Sequence, residues 1–197
     1  MTIISNLYKA VRTPYSVAQF FVRLTLAIVI FLLIPLTAMQ FTDEVNWSVF
    51  DFIAASVLLM GAGMTYKLVS VRMSVPAYRR GVGIAVGTSL VLIWINLAVG
   101  IIGSEDHPAN LMYFGVLAVG FTGVVLAQFR PHGMYLAMTA MAAAQFLVPV
   151  TAFLIWRPEL TAGVVKVFIL NWLFVMLYIA SVLQFRKVSN TDGENDL

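Results

Sequence analysis

Apolar residues along this chain do not alternate with polar ones at the two-residue spacing of a half-buried strand. They come in long, nearly unbroken runs. Six runs stand out, at 20–41, 48–70, 81–103, 110–129, 133–156 and 163–185. Each reaches the roughly 20 residues that a helix rising ~1.5 Å per residue needs to cross a ~30 Å hydrocarbon layer. The connections between them are short and carry Pro, Gly, Asn or Asp, the residues that interrupt helices and form turns. The pattern predicts an all-α, polytopic membrane helical bundle, with six transmembrane helices in a single domain at 20–185. A lead at 1–19 precedes it and a polar, disordered tail at 186–197 follows.

Charge supplies an orientation. Lys9, Arg12 and Arg23 lie at or before the first run; Lys67, Arg72, Arg79 and Arg80 surround the second connection. Arg130 lies in the fourth, and Arg186 and Lys187 open the tail. The intervening connections hold Asp43 and Glu44, then Glu105 and Asp106, then Arg157 and Glu159, with Lys166 just inside the sixth run. Ten of the twelve Lys and Arg thus fall on one side, and cytoplasmic loops are the ones enriched in these residues. Both termini are expected to be cytoplasmic. The lead mixes Ile3, Ile4, Leu7 and Val11 with Lys9 and Arg12, so two readings stand: an amphipathic interfacial helix, or a basic segment that only sets topology. No cleavable signal peptide is expected, because no small-residue cleavage site follows the first run.

Composition agrees with a bilayer environment. Of 197 residues, 61% are hydrophobic and 11% charged, less than half the roughly 25% of a soluble domain. The sequence pI near 9.3 then reflects cytoplasmic loops rather than nucleic acid, which is not an expected partner. With no Cys, disulfides, thiolate catalysis and Cys-ligated zinc are excluded. His107 and His132 fall at opposite ends of the expected bundle, which excludes a bis-His haem within one chain. Neither Lys67 nor Lys166 is central enough for a retinal Schiff base. Met134, Met138 and Met141 repeat at helical spacing and read as core packing rather than a copper site. No catalytic constellation, HExxH or phosphate loop occurs. The chain reads as leaning away from an enzyme, with no cofactor and no metal site expected.

The candidate chemistry lies in the polar groups that interrupt apolar sequence. The stretch GIIGSEDHPAN puts Glu105, Asp106 and His107 side by side between the third and fourth runs. As a solvated turn it needs nothing more: Asp106 complements the positive end of the next helix, and Pro108 suits its first turn. As a site, two carboxylates and an imidazole have the donors for a divalent cation or a proton relay. Within the runs, Asp51, Asn96, Gln145 and Asn171 stand out, because polar side chains in hydrocarbon must face protein or water. Helical rise places Asn96 about 10 Å and Asn171 about 12 Å below the outer end, level with Pro35 and Pro149, each of which frees a backbone carbonyl. One reading makes these carboxamides interhelical packing contacts. The other gathers Asp51, Asn96, Glu105, Asp106, His107 and Asn171 into an outer polar vestibule that narrows toward Asn96. Gly83 and Gly87 form a GxxxG motif, and Gly115, Gly120 and Gly123 punctuate the fourth run. They predict the third and fourth helices as the packed centre, and a homo-oligomer.

The block WINLAVGIIGSEDHPAN, with FDFIAASVLLMGAGMTYKLV before it, resembles a group of small bacterial multi-pass inner-membrane proteins that carry W-x-N-L-A-V-G-I-I-G-S-E-D-x-P-A-N. The resemblance covers the second to fifth runs. It implies the bacterial inner (cytoplasmic) membrane and assigns no site. Two functions from different classes remain. One is a small channel, transporter or binding protein for a cation or polar solute entered from the outer side. The other is a non-catalytic accessory subunit of a larger membrane complex, or one that assembles with copies of itself. An enzyme acting on lipid or quinone is a third, weaker reading.

Overall fold

A computed structural model describes residues 14–42 and 44–195. The proposed amphipathic lead up to residue 13 and Asp43 lie outside the described residues. The described residues form helices only: α1 (Pro14–Ala38), α2 (Val49–Ser70), α3 (Pro76–Ala98), a 3₁₀ turn (Pro108–Leu111), α4 (Met112–Leu126), α5 (Pro131–Trp156) and α6 (Ala162–Asn195). Six helical stretches among them are long and apolar enough to cross a membrane. The chain divides into two compact units, Met1–Gly63 and Met64–Leu197, with the division inside α2.

In the first unit, α1 packs on α2 where Gly63 leaves room for Leu24; a Cβ there would come within 2.6 Å of the Leu24 side chain. Most of its apolar side chains are exposed, including Leu26, Ile30, Ile34, Phe50 and Val57, as suits a surface solvated by lipid tails. Pro35 lies within α1, and two residues on the Thr37 hydroxyl donates to the carbonyls of Leu33 (2.7 Å) and Ile34 (2.9 Å).

The second unit has a packed core. Its central pair is α5 and α6, with α3 packed on α6 and α4 on α5. This corrects the expectation that the third and fourth helices form the centre: they flank it, and they meet each other less. The physical reason lies in which glycines are used. A Cβ on Gly81 would meet the Phe185 ring of α6 at 3.0 Å. On Gly120 it would collide with the Met141 sulfur of α5, and on Gly123 it would meet the Ala137 Cβ at 2.8 Å. Among the described residues, Gly87 and Gly115 have no such neighbour within 4 Å. Tyr113, Phe174, Tyr178, Phe185 and Leu92 fill the interior, together with Met134, Met138 and Met141.

Helix bounds differ from the apolar runs in instructive ways. α3 starts five residues early, because Pro76 occupies its first turn, where a missing N–H is harmless. It stops at Ala98 rather than Gly103, because Gly100 takes a left-handed φ of +68°. α4 ends where Gln128 and Phe129 adopt φ values of 48° and 62°. That turn is pinned by the Tyr78 hydroxyl, which donates to the Phe129 carbonyl at 2.8 Å, and by the Arg72 guanidinium 5.0 Å above the Phe129 ring. α6 runs on through Asn195, where the sequence suggests a polar tail from 186. Polar composition alone does not end a helix, and no Pro interrupts 186–195.

Within this unit the loops sort to two ends. Arg72, Tyr78, Phe129 and Phe185 mark one, and His132 on α5 lies 3.4 Å from the Ser189 hydroxyl of α6 there. We call it the basic end, since Arg130 and Arg186 share it. The turn at 99–107 and the α5–α6 turn meet at the other, acidic end, where the His107 and Trp156 rings stand edge to face at 5.2 Å.

Candidate functional site

At the acidic end, the residue that organises the turn is Asn110, buried at 4% exposure. Its side-chain carbonyl accepts from the backbone N–H of Ile101 (3.1 Å) and Ile102 (2.9 Å). Its amide donates to the carbonyls of Ser104 (2.7 Å) and Ile102 (3.2 Å). One carboxamide thus satisfies both donors and acceptors of a turn that has no ladder of its own, which is what buried backbone requires. The fit leaves no room at Gly100, where a Cβ would lie 2.8 Å from the Asn110 amide nitrogen and 2.7 Å from the Ser104 carbonyl.

The sequence-predicted residues are placed as follows. Glu105 and Asp106 are exposed on this turn. His107 is half-buried; its Nδ1 accepts from the Ala109 N–H at 3.2 Å, so the neutral ring carries its proton on Nε2. Asn96 is buried, and its amide donates to the Asn110 main-chain carbonyl at 3.1 Å. Because α3 ends at Ala98, Asn96 sits two residues from the helix end, not the seven expected, and its side chain supports the turn. Its Oδ1 meets no donor among the described residues.

Asn171 belongs to a different group. On α6 it lies 2% exposed, between Tyr113 of α4 and Gln145 of α5. Its Oδ1 accepts from Gln145 Nε2 at 2.9 Å and from the Tyr113 hydroxyl at 3.1 Å. Its Nδ2 donates to the Tyr113 oxygen and to the Val167 carbonyl, both at 2.9 Å. Three helices are tied by one amide, although Gln145 Oε1 meets no donor among the described residues.

Asp51 belongs to the first unit and acts on its own helix. Its Oδ2 accepts from the Ser48 N–H at 2.7 Å and the Ser48 hydroxyl at 2.8 Å, while the Asp51 N–H donates back to that hydroxyl at 3.3 Å. Trp47 and Phe52 pack edge to face at 5.3 Å across the same helix start. Ser48 and Asp51 form a capping box, and Trp47 with Phe52 a hydrophobic staple.

Beside these groups a cleft of about 470 Å³ opens at the acidic end. Ile101, Ile102, Gly103 and His107 of the turn form one wall; Pro149, Phe153 and Trp156 of α5 and Val164, Lys166 and Leu170 of α6 form the others. Its polar side chains are His107, Thr161 and Lys166, and no carboxylate lines it. Lys166 was visible in the sequence only as a charge inside an apolar run; Trp156, Pro149 and the turn give it its setting. Among the described residues, no group of three His, Asp or Glu side chains is placed to hold a metal ion.

Compared with known proteins, the chain matches no family model, and no characterised protein or solved structure matches it significantly.

Proposed function

We propose that this chain is a multi-pass protein of the bacterial inner membrane, with both termini cytoplasmic, that binds a small molecule entering from the outer side. The observation that carries the reading is the cleft at the acidic end. Its volume of about 470 Å³ falls within the ~300–1,000 Å³ typical of ligand sites, and its apolar walls with few polar groups have the composition of such sites. Of the three possibilities of channel, transporter and binding protein, binding is best supported. Tyr78, Tyr113, Tyr178, Phe174, Phe185 and Gln145 are buried in the interior of the larger unit, which favours a site at one end over a path through it. The carboxylates Glu105 and Asp106 stand outside the cleft lining, so an anion or neutral solute fits it better than a cation.

Native mass spectrometry of the protein, extracted with its surrounding lipid, tests the reading. A discrete small-molecule adduct is expected on the wild type and is expected to be lost on Val164→Trp, which fills the cleft. An adduct that persists undiminished in a folded Val164→Trp protein contradicts it.

A second reading, self-assembly, is favoured by one observation. Gly87 and Gly115 are small yet meet nothing within 4 Å among the described residues, which favours their use against a second copy. Gly120 is already used by Met141. Light scattering in several detergents is expected to give more than one chain per particle; one chain throughout excludes the assembly.

A further inference from the structure

We infer that the cleft is built for an anionic amphiphile, a molecule with a small carboxylate or phosphate head and an apolar tail, and that Lys166 is the residue that binds the head. This rests on the proposed role of the cleft as a binding site and adds the chemistry of its occupant.

Three observations converge. First, the cleft has a single cation and no anion on its walls: Lys166 lines it, while Glu105, Asp106 and Glu159 do not. Lys166 is exposed, so it meets an oxyanion at the rim, and the apolar walls beside it supply the rest of the hold. Second, the remaining walls are unsuited to a small inorganic ion. Phe153, Trp156, Phe168, Pro149 and Leu170 present apolar surface, and Leu170 lies one helical turn beyond Lys166 toward the middle of α6. A head at Lys166 therefore leaves an apolar channel wall for a tail to cover. Third, the donors suit an acceptor head. Lys166 donates only, and His107, whose Nδ1 is occupied by the Ala109 N–H, turns a donor nitrogen, Nε2, to whatever it meets. The rigid setting of His107, held against Trp156 and on a turn fixed by Asn110, reduces the ordering that binding must impose.

Lys166 also has a reason to be where it is. It lies four residues into α6, about 6 Å along the helix, inside a stretch apolar enough to cross a membrane. So near the helix end, the ammonium on its flexible stem can reach the interfacial level, where the charged head of an amphiphile would lie.

The test compares laurate, dodecanol and inorganic phosphate as probes on the full-length protein in detergent, by native mass spectrometry and equilibrium dialysis. Laurate is expected to bind one per chain, to weaken at least tenfold in Lys166→Met, and to recover largely in Lys166→Arg. Dodecanol is expected to bind more weakly and to be indifferent to Lys166. Phosphate alone is expected not to bind. Val164→Trp is expected to abolish laurate binding while thermal unfolding shows the protein folded. Equal affinity for laurate and dodecanol, with both lost in Val164→Trp, overturns the anion assignment and leaves the cleft a binding site. Phosphate binding that depends on Lys166 and displaces laurate overturns the amphiphile in favour of a free oxyanion. Failure of every probe to respond to Val164→Trp overturns the binding reading itself.

Discussion

Asn110 and Asn96 touch each other, yet they differ in what their removal exposes. Asn110 satisfies four backbone groups of the 101–104 turn, so Asn110→Ala leaves several buried donors and acceptors without partners. Each such loss costs about 1–3 kcal/mol when buried. The substitution is expected to lower the unfolding temperature markedly and to open the turn to protease, measured by thermal unfolding in detergent and limited proteolysis. Asn96 donates one bond and carries an acceptor without a donor. Asn96→Leu removes the unmet acceptor but leaves the Asn110 main-chain carbonyl without the Asn96 donor, so it is expected to cost one buried bond, about 1–3 kcal/mol, with the turn still protected. A loss as large as that of Asn110→Ala would contradict this assignment. These two residues also show what the sequence could reveal. The Ser48–Asp51 capping box is legible from its three-residue spacing, and reading Asp51 as a site candidate passed over it. The role of Asn110 is not legible. It bonds backbone eight and nine residues back, around two left-handed glycines, and no local spacing rule encodes that return.

At the scale of elements, the six apolar runs and the helical class were readable, because length and apolar continuity suffice for both. The neighbours of each helix were not. These helices are apolar on nearly every side, so no polar stripe marks which face turns inward. GxxxG says that a close approach is possible and not to which partner. The structure assigns the close approaches to Gly81, Gly120 and Gly123. At Gly123 a Cβ would also lie 3.1 Å from the Ala137 Cα, backbone that cannot swing aside as a side chain can. Gly123→Leu is therefore expected to separate α4 from α5 and to destabilise by about 1–3 kcal/mol or more, as overpacking does. Among the described residues Gly87→Ala meets open space, so where no second copy covers it the variant gains helix propensity worth up to ~1 kcal/mol. Unfolding temperatures of the two variants are expected to move in opposite directions; equal losses would place Gly87 in a contact. Such a loss that also depends on protein concentration would locate that contact between chains.

For the whole molecule, the sorting of charge is the feature that spans sequence, fold and proposed function. Within the larger unit the helices bring Arg72, Arg130 and Arg186 to one end and Glu105, Asp106 and the cleft to the other. With both termini cytoplasmic, as we propose from the positive-inside rule, the cleft would face outward. Reporter fusions after Gly103 and after Lys187 are expected to report the outer side and the cytoplasm respectively. An external signal at Lys187 would break the six-span orientation. The absence of cysteine makes a more direct measurement possible, because Thr161→Cys introduces a single thiol at the exposed rim of the cleft. In spheroplasts, an impermeant maleimide is expected to label that thiol without permeabilisation, and saturating laurate is expected to slow the labelling severalfold. Labelling that requires permeabilisation, or a rate that laurate leaves unchanged, would contradict an outward-facing cleft that holds an anionic amphiphile.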